Sequence, residues 1–199
     1  ILNDPTLKFR GFFRTAIFLP AVTSLVAYSV IFKYLFANDG IVNQFLVNMN
    51  ILNEGINWLS DPFWAKIVII LAITWRWTGY NMIFYLSALQ NVDKSIYEAA
   101  EIDGATAIQK FFKITVPILK PIILFTSITS TIGTLQIFDE VMNITKGGPG
   151  NATLSISQYI YNLSFEYTPD FGYAATVSYV IVVIIVLLSL IQFKVAGDN

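Results

Sequence analysis

The sequence contains no cysteine and no histidine. The first absence excludes disulfides and thiolate metal sites. The second removes the commonest metal ligand and the readiest general base near neutral pH. Charge is scarce as well, at 13% of 199 residues, where a soluble domain carries about 25%. The 12 basic and 13 acidic side chains nearly cancel to a net −1, which leaves no basic field to attract nucleic acid. One stretch is glycine-rich, Lys146-Gly147-Gly148-Pro149-Gly150, but it lacks the Gly-Lys-Ser/Thr that closes a phosphate-binding loop. These absences disfavour an enzyme. No catalytic residue, cofactor site or metal site is assigned.

What the chain has instead is apolar length. It is 55% hydrophobic with a mean hydropathy of +0.63, in runs too long for a soluble core. The expected fold is all-α, a polytopic membrane helical bundle forming one transmembrane domain over residues 1–199. Asn3-Asp4-Pro5 signals a turn before the first span. Four spans are expected, about Phe13–Phe36, Trp64–Leu89, Ile118–Phe138 and Tyr173–Phe193. The first, at 1.5 Å per residue, reaches about 36 Å and crosses a hydrocarbon core of about 30 Å with tilt. Pro20 predicts a kink or break within it. Short helices are expected around Ile41–Val47 and Ser155–Phe165, in polar loops.

Eight of the 12 basic residues fall on one side of this arrangement: Lys8, Arg10, Arg14, Lys94, Lys110, Lys113, Lys120 and Lys194. The positive-inside rule places that side in the cytoplasm, with loops 37–63 and 139–172 outside. Arg76 falls near the middle of the second span, at a cost of roughly 2.5 to 3.5 kcal/mol unless it faces protein or water. It is either part of a polar pathway or half of a structural pair with an acid elsewhere. The third span carries Thr126, Ser130, Gly133 and Thr134 at helical spacing. That small, weakly polar face suits either a cavity lining or close helix packing, with packing favoured at Gly133.

Between the second and third spans lies a polar, mixed-charge island, Glu98 to Pro117, within a loop over residues 93–117. Ser95 and Glu98 have the spacing of a capping box, and Asp93 is a rival N-cap. Gly104 offers a C-cap or a sharp bend. A second short helix, carrying Lys110 and Lys113, is expected to stop at Pro117. On helix physics alone this is either a solvated loop or a docking element.

Glu98-Ala99-Ala100, three residues, Gly104, nine residues, then Ile114-x-Val116-Pro117 resembles the EAA motif, with Val116 where leucine is usual. That motif marks the permease subunits of binding-protein-dependent ABC importers. Gly11-Phe12-Phe13-Arg14-Thr15, Leu19-Pro20 and Gly147-Gly148-Pro149 with Asn151-Ala152-Thr153 are similar to the carbohydrate-uptake branch. The resemblance implies a multi-pass subunit of a bacterial or archaeal plasma or inner membrane. About two further helices would lie upstream. The implied partners are a second homologous permease, two cytoplasmic ATPase subunits that hydrolyse ATP, and an extracytoplasmic solute-binding protein. It implies that Glu98, Ala99, Ala100, Gly104, Ile114 and Pro117 couple to the ATPase, whose closure tilts the permeases.

The leading expectation is therefore an importer permease in the lipid bilayer for a small polar solute, a sugar or sugar-like molecule. Candidate pathway residues are Trp75, Arg76, Gly79, Ser130, Thr134 and Gln136, since aromatic faces with hydroxyl and amide groups suit sugars. The alternatives are an ion-gradient-driven secondary carrier, a non-transporting scaffold, and a permease for glycerol phosphate, a polyol or a peptide. Without its missing helices the chain is expected to be unstable alone.

Overall fold

A computed structural model describes residues 2 and 7–197; the Asn3-Asp4-Pro5 turn lies outside the described residues. Among those residues the chain is all-helical with no strand. Three helices are long and apolar enough to cross a membrane: α4 (Pro62–Gln90), the continuous run Ala107–Leu135, and Phe171–Val195 of α10 (Phe171–Gly197). The run Ala107–Leu135 consists of α6 (Ala107–Lys110), a π-helical turn (Phe111–Thr115) and α7 (Val116–Leu135). The bundle is layered in chain order, with α1 (Arg10–Val22) against α4, α4 against α7, and α7 against α10.

The first expected span, Phe13–Phe36, is broken near Pro20 as expected: it consists of two helices, α1 and α2 (Leu25–Leu35), which meet at 105° and make one apolar span only if taken together. Pro20 lies inside α1 and supplies no amide to the helix ladder. Three residues later Thr23 goes extended at φ −74°, ψ 146°. Its amide and hydroxyl both return to the Leu19 carbonyl, at 3.1 and 2.7 Å. With 13 residues, α1 rises about 20 Å, short of a full hydrocarbon core of about 30 Å. The turn sends α2 across the bundle to pack on α8 (Asp139–Ile144).

That crossing builds the core, at the end opposite the polar island. Tyr28 and Phe32 of α2 and its C-cap Phe36 meet Trp58, Val68 and Ala72 from the α4 side and Val141 and Ile144 of α8. Phe36 sits edge-on to Trp58 at 5.4 Å, and Trp58 edge-on to Trp64 at 4.8 Å. The loop around α3 (Ile41–Asn48) is held by one buried side chain, Asn43. Its amide donates to the carbonyls of Asn38 and Ile56 at 3.0 and 2.9 Å. Its oxygen accepts from the Ile56 amide at 3.0 Å and the Trp58 indole at 2.8 Å.

The glycine-rich stretch closes the turn between α8 and α9 (Ile156–Tyr161). The Thr153 hydroxyl donates to the Gly148 carbonyl and lies 2.7 Å from the Thr145 hydroxyl. The helix expected over Ser155–Phe165 is α9 with a π-helical turn at Asn162–Glu166. Along α10, Val183, Leu187 and Leu190 stay exposed, as a lipid- or partner-facing surface requires.

Candidate coupling loop and pathway face

Three residues separate α4 from α5 (Lys94–Ile102), so the loop is tied closely to the bundle. The Ser95–Glu98 capping box expected from spacing does not form; Asp93 is the N-cap and accepts from the Ser95 amide at 2.9 Å. An ionised cap two residues earlier also meets the positive end of the helix dipole. The bond holds the Asp93 carboxyl below the usual carboxylate range.

α5 ends in a complete Schellman motif. Ala105 N–H donates to Ala100 O at 2.9 Å, and Gly104 N–H to Glu101 O at 3.0 Å. Gly104 adopts φ +76° with nothing near the position a Cβ would take. Glycine is required there by conformation and not by space. Two residues on, Thr106 opens α6 with a reciprocal capping box: Thr106 N–H to Gln109 Oε1 at 2.8 Å, and Gln109 N–H to Thr106 Oγ1 at 3.3 Å. This Thr-x-x-Gln signature was present in the sequence. An ion pair, Lys110–Glu101, joins the two short helices. Tyr97 hydroxyl meets Thr115 hydroxyl at 3.0 Å.

The expected stop at Pro117 is also corrected. The helix passes through Pro117 and Pro121 without a break. The π-helical turn before it makes this possible: Val116 N–H reaches back five residues to Phe111 O. The wider turn gives the proline ring room where a tight helix would clash with the preceding turn. Ile114 lies half-buried in that turn and Pro117 is exposed at the start of α7. Glu98 and Ala99 are exposed, Ala100 half-buried. Ile102, Ile108 and Phe112 are also uncovered, at 87%, 72% and 64% exposure, and Ile102 lies one turn from Glu98 on α5.

The six pathway candidates fall into three environments. Trp75 is exposed, with its ring 5.5 Å from Phe32. Arg76 carries its guanidinium 5.5 Å over the Tyr28 ring, and its Nη1 is buried without a hydrogen bond. Tyr28 in turn donates to Glu140 at 2.6 Å. An acid from elsewhere in the chain thus lies near Arg76, with a tyrosine between them and no direct ion pair. Gly79 lies under α1, where a Cβ would come 2.3 Å from the Ile17 carbonyl. Ser130 accepts from Asn81 at 3.2 Å. Thr134 and Gln136 are exposed near the far end of α7. Thr134 borders a groove of about 410 Å³ with Lys66, Ile69, Ile73 and Ser155.

The small face of α7 therefore makes interhelical contacts. Tyr85–Thr126 at 2.6 Å and Gln192–Thr131 at 2.8 Å add to Asn81–Ser130. Each such contact contributes about 0.6 kcal/mol in a bilayer. A Cβ on Gly133 would sit 2.2 Å from Trp77, the packing role expected of it. Sequence reasoning missed Tyr28, Asn43 and Glu140. Among the described residues Glu140 is the one buried carboxylate.

The fold has close counterparts. The structure of a bacterial ABC transporter involved in import of the acidic polysaccharide alginate superposes with TM-score 0.86 at 23% identity, over 98% of this chain and 68% of that one. The lactose transport system permease protein LacF of Rhizobium radiobacter is 63% identical over 201 residues, covering 100% of this chain and 67% of LacF. The arabinooligosaccharides transport system permease protein AraP of Bacillus subtilis is 36% identical, covering 99% of this chain and 63% of AraP. The chain thus spans about two thirds of the length of these relatives. A family model matches residues 6–196. On that match the chain belongs to the family of binding-protein-dependent transport system inner membrane components.

Proposed function

We propose that this chain is the membrane-spanning part of an ABC importer permease for a sugar or oligosaccharide. It works with a second permease, two ATPase subunits and an extracytoplasmic solute-binding protein. The 63% identity to a lactose permease supports the solute class. The ATP chemistry belongs to the partner subunits, and loop 93–117 faces the cytoplasm.

The observation that carries the coupling role is mechanical. The loop is a capped helix, a Schellman turn and a second capped helix that runs unbroken into α7. A push on α5 is transmitted through the Lys110–Glu101 pair and the π-helical turn into a span, not absorbed by a flexible linker. Glu98, exposed beside Ile102, is the contact to the ATPase. Ala99 and Ala100 permit close approach, Gly104 sets the angle, and Ile114 and Pro117 join the loop to the span. Trp75, Arg76, Thr134 and Gln136 face the solute, with Gly79 and Ser130 fixing the helices that carry them.

The test uses the full-length subunit reconstituted with its partners. Glu98→Lys is expected to lower sugar-stimulated ATP hydrolysis at least about tenfold, since a misplaced charge at an interface costs several kcal/mol. Assembly in the membrane should persist. Parent-like hydrolysis and uptake in that variant would remove Glu98 from the coupling role. Uptake that persists without ATP would favour the ion-gradient carrier.

A further inference from the structure

A second polar feature lies beside the coupling loop. Between the start of α1 and the α4–α5 junction is a cleft of about 330 Å³, bordered by Arg10, Arg14, Gln90, Lys94 and Tyr97. Three cations enter it from two separate chain segments, and among the described residues no carboxylate lines it. Asp93 is next in sequence, but its carboxylate is turned to the Ser95 amide. Among the described residues no carboxylate pairs with Arg10, Arg14 or Lys94. Arg14 is held in place by two bonds to the Leu2 carbonyl, at 3.0 and 2.8 Å, which orient its charge without cancelling it.

Three like charges gathered in one cleft repel each other unless an anion joins them. The residues next to the two arginines indicate which anion. Phe9 adjoins Arg10 and is 79% exposed, and Phe13 adjoins Arg14 and is 44% exposed, although neither lines the cleft itself. An amphiphile satisfies both halves, with its phosphate among the cations and its chains against the phenylalanines. A soluble phosphate would leave the aromatic surface bare.

We propose that this cleft binds the phosphate of an anionic phospholipid of the leaflet at the basic end. Arg10, Arg14 and Lys94 are the charged ligands, and the Gln90 amide is a further donor. Basic pockets at helix junctions near the cytoplasmic surface are suited to such headgroups. Because Lys94 begins α5, the lipid braces the entry to the coupling loop and makes its position sensitive to membrane composition. The placement in the cytoplasmic leaflet rests on the orientation proposed above; the binding itself does not depend on the transported solute.

The experiment uses the assembled full-length complex in phosphatidylcholine nanodiscs doped with phosphatidylglycerol, with retained lipid counted by native mass spectrometry. Arg10→Gln with Lys94→Gln is expected to weaken phosphatidylglycerol retention about thirtyfold. Lys113→Gln, a cation of the same end outside the cleft, should leave it unchanged. Equal retention in the double variant would overturn the proposal. So would displacement of the lipid by millimolar inorganic phosphate, which would make this a soluble-anion site. Should the double variant fail to assemble, a photoactivatable phosphatidylglycerol on the parent complex decides. Crosslinks within residues 9–14 and 89–97 support the site, and their absence there rejects it. None of these readouts uses transport, so they fail or succeed separately from the importer reading.

Discussion

The two ends of this bundle are built by different means. At the far end, around α2, α3 and α8, order comes from side chains that reach across long sequence separations into a buried core. Asn43 spans the loop to Ile56 and Trp58, and Tyr28 reaches Glu140, 112 residues away. At the basic end, the coupling loop is ordered by its immediate neighbours: an aspartate cap, a Schellman turn, a capping box and a single ion pair. The far end gains stability from burial. The basic end gains shape while keeping its surface free for a partner. Under the proposed coupling role local bonds suit the loop, because these survive when the docked surface is uncovered.

The strongest way to break this contrast is at Asn43. Asn43→Leu removes both acceptors and donors at a site only 3% exposed. It strands the Trp58 indole and the Ile56 amide, each at about 1 to 3 kcal/mol. A loss of about 3 kcal/mol or more is expected, read as lower thermal stability of the purified complex and faster proteolysis within residues 37–61. Hydrogen exchange across residues 93–106 should not change. Loosening of both ends together would show that the basic end depends on the far core.

A smaller effect is expected at the Tyr28–Glu140 contact. Tyr28→Phe keeps the ring beneath the Arg76 guanidinium but removes the hydroxyl that donates to Glu140. The buried carboxylate loses a charge-assisted bond of about 2 kcal/mol. Glu140→Gln retains an acceptor and should cost less. An equal loss in both variants would mean that the charge of Glu140, and not its bond to Tyr28, holds α2 on α8.

Legibility in the sequence follows the same division. The basic end was readable because its devices are short-range, Asp93 as a cap and Gly104 as a C-cap, although the equally local Thr106–Gln109 box was not singled out. Even there two candidates competed for one cap, and spacing alone favoured the wrong one. Spans α4 and α10 and the short helices near Ile41 and Ser155 were visible as apolar length or amphipathic turns. The 105° turn after Pro20 was not, because a proline marks a break without giving its direction. The passage through Pro117 was hidden because a π-helical turn leaves no mark in hydrophobic periodicity. The far core was illegible for a plainer reason. Nothing local to Tyr28, Asn43 or Glu140 names a partner a dozen or a hundred residues away. Of the pathway candidates, the sequence supplied residue types, while only the fold separated Gly79 and Ser130, used between helices, from Trp75, Thr134 and Gln136, left exposed.

The last two predictions sharpen the local half of the comparison. Gly104→Ala meets no steric neighbour, so its cost is that of placing a Cβ at φ +76°, about 1 to 2 kcal/mol. Asparagine, which tolerates this region better, should cost less. The effect should appear as faster hydrogen exchange over residues 99–106, with the thermal midpoint of the whole complex unmoved. A shifted midpoint would make the loop part of the global core. The smallest effect concerns Asp93. Its folded carboxyl titrates below the ordinary 3.8 because the Ser95 amide donates to it. Its contribution is therefore fully present above that ordinary value and is lost as pH falls through the lower, folded one. Fraying at the start of α5, followed by the Ser95 amide resonance, should begin only in that acidic window in the parent. Asp93→Ala should fray at every pH. Acid-induced fraying of equal size in Asp93→Ala would assign the pH response to another group, and with it the N-cap role of Asp93 would fall.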